Sequence, residues 1–316
     1  MARKLINTKK ISHEEWLDLR KRGIGGSDAG GVIGVSPWSS AITVYADKLD
    51  LSKPKDTTEA MRLGTDLEGY VAQRFMEDTG KKVKNDNFMY LDDEYDFLLA
   101  DIDRRIVGEN AGLECKTMKW VPDDCNLDAG EVPDHYYSQC QHYMMIMGFD
   151  RMYLDIYVLQ EKNYIFTIER NEEYIKQMRE IEIDFWNNNV LKREPPAPTG
   201  QKDSTDTIQE IYSKPVEGLE VEIPDLDNLI AGYKEHSSLE KEHKEKKEEY
   251  KNRICAQMGN ATISMGISYG CTWKPQNKSG LDTARLKAER PDIYRAYANV
   301  GTTRVFRIQD FTKKRK

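Results

Sequence analysis

No apolar run in the chain approaches the roughly 18 residues that a membrane-spanning helix requires, so no membrane span is expected. The first residues, MARKLINTKKISHEEW, are charged and lack the apolar stretch of a secretory signal, which points to the cytoplasm. Cysteine is scarce and never closely spaced. The five are Cys115, Cys125, Cys140, Cys255 and Cys271. An odd number with no C-x-x-C pair makes neither a disulfide framework nor a zinc or iron–sulfur site, so reduced thiols are expected. Positive charge is not in excess either: 47 Lys and Arg against 54 Asp and Glu leave a net charge of −7, which argues against a domain that is basic throughout. The basic residues do cluster, at Arg3-Lys4, Lys9-Lys10, Arg20-Lys21-Arg22, Lys81-Lys82-Lys84 and Arg104-Arg105. That distribution suits a basic groove on an acidic body as well as it suits ordinary solvated surface.

What is present starts with glycine. Six of the twelve residues from Gly23 to Gly34 are glycine, with Ser27 and Asp28 placed to cap a following helix. No Gly-Lys-Ser/Thr follows, so this is not a Walker loop, and no predicted strand precedes it, so it is not a dinucleotide fingerprint. Two readings stay open: a helix start that receives phosphate, or a tight turn where small residues let helices pack.

Periodicity supplies the elements. Ser12 and Glu15 have capping-box spacing before a helix that stops at Gly23. Helices are expected over 41–49, 58–79, 132–148 and 171–191, and strands over 88–91, 95–102, 151–159 and 163–168. The proline cluster Glu194-Pro195-Pro196-Ala197-Pro198 is the best domain boundary, giving a core over 1–195 and an extension over 196–316. The extension carries a helix at about 224–258 whose segment Lys234–Lys251 holds six lysines and six glutamates, the pattern of a solvated, ion-paired helix. A hairpin over 261–273, a short helix over 281–289 and a last strand over 303–308 are expected beyond it.

The chemistry concentrates in Leu98–Lys119. Asp103 and Glu114-Cys115-Lys116 have the form D-x(10)-E-x-K on a predicted hairpin. Residues two apart on a strand share a face, so Glu114 and Lys116 point together and Cys115 points into the apolar interior. An Asp and a Glu on adjacent strands can share a divalent metal through oxygen, with the Cys115 carbonyl well placed to join them. Lys116 can orient a water or offset charge on a phosphate, and Glu68, on the helix over 58–79, can complete a second metal position. The motif alone equally describes a surface hairpin with an exposed ion pair. Glu68 alone reads as a solvated helix residue, and Gln139 as a half-buried amide on a core helix.

Several segments in order resemble the YqaJ-like viral recombinase family, phage exonucleases related to lambda exonuclease in the PD-(D/E)XK nuclease superfamily. They are Trp16-x-x-x-Arg20 with Arg22-Gly23-Ile24-Gly25-Gly26-Ser27-Asp28, Ser36-Pro37-Trp38, and Leu63-Gly64-Thr65-Asp66-Leu67-Glu68. Ala100-Asp101-Ile102-Asp103-Arg104, Leu113-Glu114-Cys115-Lys116-Thr117 and Pro133-x-x-Tyr136-x-x-Gln139-x-Gln141 follow. The resemblance implies an α/β fold with a mixed central sheet flanked by helices. It implies a Mg²⁺- or Mn²⁺-dependent deoxyribonuclease, with two ions, that resects double-stranded DNA ends 5′→3′ and passes the single strand to a phage annealing protein. Asp103, Glu114 and the Cys115 carbonyl would ligate metal, Glu68 would support the second ion, Lys116 would position the water and Gln139 would hold the DNA end. Arg20 and Ser27 would receive the 5′-phosphate. A ring-shaped trimer in the bacterial host cytoplasm is implied as well. Asp93 aligns only loosely as a further acid. Arg104-Arg105 stands where many relatives have glycine, which is expected to alter the turn and not the ligand. The same chemistry also fits a DNA endonuclease in repair, and a catalytically silent DNA-end-binding protein is the alternative from another class.

Overall fold

In the computed structural model, which describes residues 2–53, 57–277, 279–299 and 304–309, the first unit, Met1–Ser213, opens with β1 (Arg3–Asn7). The capping box forms as the spacing requires: Ser12 Oγ accepts from the Glu15 amide and Glu15 Oε2 accepts from the Ser12 amide, starting α1 (His13–Lys21). Then come α2 (Gly26–Val32), α3 (Ala41–Lys48) and the long α4 (Glu59–Thr79). Four short strands follow, β2 (Val83–Asn85), β3 (Phe88–Leu91), β4 (Leu99–Ala100) and β5 (Arg104–Ile106), before the eight-residue β6 (Ala111–Met118). The unit closes with α5 (Asp134–Met147), β7 (Arg151–Val158), β8 (Asn163–Glu169), α6 (Glu172–Asp184) with a π-helical turn over Phe185–Val190, and α7 (Lys202–Ile211).

The architecture is α/β with a mixed central sheet, in the order β2-β5-β6-β7-β8. Only β6 and β7 are parallel, in register from Ala111↔Arg151 to Met118↔Val158. A parallel pair needs a crossover, and α5 supplies it. Helices cover both faces. Met144 of α5, with Leu98 and Ile102, packs on Met152, Leu154 and Ile156, while Ala72 and Phe75 of α4 pack on Ile106, Leu113 and Tyr153. Period-two alternation therefore turns Leu113 and Cys115 toward α4, and Glu114 and Lys116 toward α5.

Helix α5 is buried without a break from Ser138 to Ile146, so it is the central helix and not an amphipathic one. Its buried polar residues Ser138, Gln139, Gln141 and His142 are all paired; Gln141 donates to the Glu169 carbonyl and accepts from the Asn171 amide.

Three expectations need correction. The strand expected over 95–102 shrinks to Leu99–Ala100, because Tyr95–Leu98 closes a turn in which the Leu98 amide donates to the Tyr95 carbonyl. Asp103 consequently sits in a bend just before β5 and not on a strand. Edge strands β1 and β2 were not anticipated, since Arg3, Lys4 and Lys84 dilute any apolar alternation. The division of the chain falls after Ser213, beyond the proline cluster: Asp203 of α7 accepts from the Ser40 amide, Ser40 Oγ and Thr43 Oγ1, tying that helix to α3.

The second unit, Lys214–Lys316, holds α8 (Leu226–Met258), an antiparallel hairpin of β9 (Ile263–Met265) and β10 (Gly270–Thr272), α9 (Thr283–Glu289) and α10 (Pro291–Tyr297). Helix α8 is solvated and laced by pairs such as Lys246–Glu242 and Lys251–Glu248. Helix α10, absent from the sequence reading, starts with proline at its first position, where no amide hydrogen is needed. Residues 304–309 form no strand; Thr303 lies outside the described residues, as do Pro54, Lys55 and Asp56, where the sequence Lys53-Pro54-Lys55-Asp56 reads as a loop. Among the described residues no helix is long and apolar enough to cross a membrane.

Candidate active site

The glycine-rich segment is built for close approach. A Cβ on Gly23 would meet the Phe97 carbonyl oxygen at 2.3 Å, and one on Gly26 would meet the Tyr143 ring at 2.5 Å. The Ile24 amide donates to the Phe97 carbonyl and the Leu99 amide to the Ile24 carbonyl, so the segment is stitched beside β4. It then enters α2, whose start is occupied by the Asp28 carboxylate on the Gly25 amide at 2.9 Å. The carboxylate takes one amide of that start, and side chains stand beside it. Arg20 lies 5.0 Å from the Trp16 ring and donates to Ser27 Oγ and, at 3.4 Å, to Asp28. Lys48 anchors this group from behind, bonding Asp28 at 2.7 Å and the Arg20 carbonyl at 3.0 Å. Burial works to raise the Asp28 carboxyl, but Lys48 and Arg20 outweigh it and hold it at about 2. Trp16 is fixed in turn by its Nε1, which donates to Asp101 at 2.6 Å.

Across the same cleft, Glu114 is buried on β6. Its Oε1 accepts from Lys116 Nζ and from Gln139 Nε2, both at 2.6 Å, and Gln139 also reaches the Tyr143 hydroxyl at 3.1 Å. Lys116 stacks 5.2 Å from the Tyr136 ring. Burial disfavours the Lys116 ammonium, but Glu114 and Asp103 more than compensate and keep it charged. Burial, then the Glu114 and Glu68 carboxylates, push the Asp103 carboxyl well above the ordinary carboxylate range. Glu114 is raised by burial too, against the pull of Lys116.

Asp103 Oδ2 accepts from the Cys115 amide at 2.8 Å. A strand residue directs its N–H and C=O to the same side, so the Cys115 carbonyl faces the Asp103 side, beyond the last β5 pairing at Arg104↔Leu113. The bend thereby brings Asp103 beside β6 although Asp103 lies on no strand. Glu68 accepts from Arg104 Nη1 at 2.5 Å, and the same nitrogen donates to the Asp103 carbonyl at 2.8 Å.

One cleft of about 440 Å³ is lined by Arg20, Ser27, Glu68, Asp101, Asp103 and Gln139 among others. Five of the seven expected side chains therefore line one opening. Glu114 and Lys116 lie behind it, joined through Gln139. Asp93 is exposed and is not part of the lining. Sequence reasoning missed the roles of Arg104 and Lys48. A run of two arginines after Asp103 gave no sign of which acid each would meet, and Lys48 was indistinguishable from a solvated lysine. Among the described residues no three Asp, Glu, His or Cys side chains form a ready metal-ligand group.

A family model described as the YqaJ-like viral recombinase domain matches residues 15–150. The chain is 31% identical over 300 residues to the uncharacterized protein YqaJ of Bacillus subtilis (strain 168), covering 93% of each. The chain belongs to the YqaJ-like viral recombinase family. Among solved structures it is similar to an alkaline exonuclease from Laribacter hongkongensis, at 19% identity and a TM-score of 0.46, covering 57% of this chain and 97% of that one. It is also similar to a phage-related exonuclease from Haemophilus somnus 129PT, at 14% identity and a TM-score of 0.43, covering 54% of this chain and 96% of that one.

Proposed function

We propose that the chain is a metal-dependent deoxyribonuclease that resects double-stranded DNA ends 5′→3′. The observation that carries this reading is the Glu114–Lys116–Gln139 group beside Asp103, of which Gln139 and Asp103 line one cleft with Arg20 and Ser27. The residues fit a hard divalent cation. Glu114 Oε2 is buried with no hydrogen-bond partner, and the carboxylates around Asp103 repel one another in a buried setting that a cation relieves. Asp103, Glu114 and the Cys115 carbonyl would hold Mg²⁺ or Mn²⁺, and Glu68 lines the same cleft as Asp103. Such an ion acts as a Lewis acid and makes a nucleophile available at neutral pH.

The remaining chemistry belongs to the chain. Lys116, held charged against Glu114, orients the attacking water and offsets negative charge that grows on the phosphate. Gln139 fixes the Glu114 carboxylate and helps hold the active-site end of the DNA. The Arg20 guanidinium and the Ser27 hydroxyl receive the 5′-terminal phosphate, a role suited to a planar fork of donors. Resected 3′ strands would pass to a single-strand annealing protein in the bacterial host cytoplasm. Assembly of copies into a trimeric ring would let an acidic chain line a DNA channel with its basic residues.

The test is Mg²⁺-dependent digestion of linear and covalently closed duplexes. Loss of linear DNA with closed circles intact is expected. Cutting of closed circles would indicate an endonuclease, and binding of ends without digestion of either would indicate a silent end-binding protein.

A further inference from the structure

The most unusual occupant of the cleft is Arg104. Its Nη1 sits 2.5 Å from Glu68 Oε1 and 2.8 Å from the Asp103 carbonyl, so one guanidinium bridges the two segments that carry the outer acids. The arginine is held in place. Its backbone pairs with Leu113 on one side and Asn85 on the other, and its side chain is only 12% exposed. Glu68 on α4 meets this fixed cation at the position where a second ion would draw on it.

We propose that Arg104 is a resident cation in the site: it neutralises Glu68 and takes the place of a second divalent ion, so that the site holds one tightly bound ion, at Asp103 and Glu114. The inference rests on the nuclease reading above and deepens it. The physical case is one of competition. A divalent ion approaching Glu68 must displace a guanidinium that is already hydrogen-bonded, partly desolvated and anchored by two ladder pairs. If it does not displace the guanidinium, it must sit beside a like charge in a site of reduced dielectric. An ion at Glu114 need displace no donor, since Glu114 Oε2 has no partner and the Lys116 ammonium sits on the other oxygen. Arg104 is a positioning and charge-balancing residue in this scheme, and it cannot be replaced by glycine without changing how many ions the site binds. That revises the sequence expectation that Arg104 alters the turn alone.

The test is Mn²⁺ binding to the full chain, read by calorimetry and by the loss of the free Mn²⁺ paramagnetic resonance signal, neither of which depends on turnover. Wild type and Arg104→Lys, which keeps a cation, are expected to bind one ion tightly. Arg104→Gln is expected to bind a second at least about tenfold more tightly than wild type does, a change of ~1.4 kcal/mol. Thermal unfolding of each variant verifies that it is folded. Two tight ions in wild type, or one ion in all three proteins, overturns the role of Arg104 and leaves the nuclease reading standing. No bound Mn²⁺ in wild type overturns the nuclease reading itself.

Discussion

Gln139 donates its side-chain amide to the Glu114 carboxylate at 2.6 Å, reaching from the central helix α5 to the central strand β6. The bond ties the orientation of Glu114 to the helix that crosses from β6 to β7, and it leaves one carboxylate oxygen free of any partner. Helix and strand therefore set the direction of the acid together.

Removing that bond tests its part in the site. Gln139→Ala is expected to lower nuclease turnover by roughly 10- to 100-fold, the usual cost of losing a group that orients a metal-binding carboxylate. Weaker Mn²⁺ binding should accompany the loss. Unchanged Mn²⁺ affinity together with unchanged turnover would show that Glu114 holds its orientation unaided.

Arg20 makes a prediction about the substrate. Wild type should degrade 5′-phosphorylated duplex faster than 5′-hydroxyl duplex, and Arg20→Ala should remove most of that preference. The initial-rate ratio for the two substrates is the readout. The same ratio in both proteins would place the terminal phosphate elsewhere.

A buried pair beneath the site governs stability with pH. His142 Nδ1 lies 2.8 Å from Glu182 Oε1 and Nε2 lies 2.9 Å from the Leu99 carbonyl, with both partner oxygens able to accept. Two acceptors facing the two ring nitrogens favour the doubly protonated ring. Burial works to lower its pKa, but Glu182 and the Leu99 carbonyl raise it above the ordinary 6.5. The stabilisation is accordingly complete below that value and is lost as pH rises through the higher folded pKa. Denaturant unfolding from pH 6 to 9 should show this decline. In His142→Leu the decline should vanish, with a cost of about 3–5 kcal/mol at low pH from leaving Glu182 buried and alone. A parallel pH dependence in the variant would assign the decline to another group.

The close approach of α2 to α5 yields a packing prediction. Gly26→Ala places a methyl group 2.5 Å from the Tyr143 ring, which is buried and bonded to Gln139. Overpacking of this kind costs about 1–3 kcal/mol, measurable as a shift in the denaturant midpoint. A midpoint unchanged from wild type would mean that the two helices separate at no cost.

Much of this arrangement is legible in the sequence because it is local. The Ser12–Glu15 cap, the alternation of Arg151–Val158 and the i, i+2 pairing of Glu114 with Lys116 each depend on spacing within a few residues. Asp103 escapes that logic. Its place depends on a turn at Tyr95–Leu98 that ends the strand early, and on a side chain that reaches the Cys115 amide across the bend. Glu68 was legible as a helix residue, but its partner Arg104 lies 36 residues away and no period connects them. Lys48 and Asp28 form a buried ion pair from two helices whose sequences read as a lone surface lysine and a helix cap. The glycines of the loop proved to serve packing at Gly23 and Gly26. The groups presented to the cleft beside them are the side chains of Arg20 and Ser27.

The most direct test of the account is time-resolved digestion of end-labelled linear duplex with Mg²⁺ by wild type and by Glu114→Gln and Lys116→Ala. The account predicts progressive release from 5′ ends by wild type. It predicts a loss of at least about 100-fold in each variant, in keeping with the weight of a charged group acting on the reacting phosphate. Digestion by both variants at the wild-type rate would contradict it.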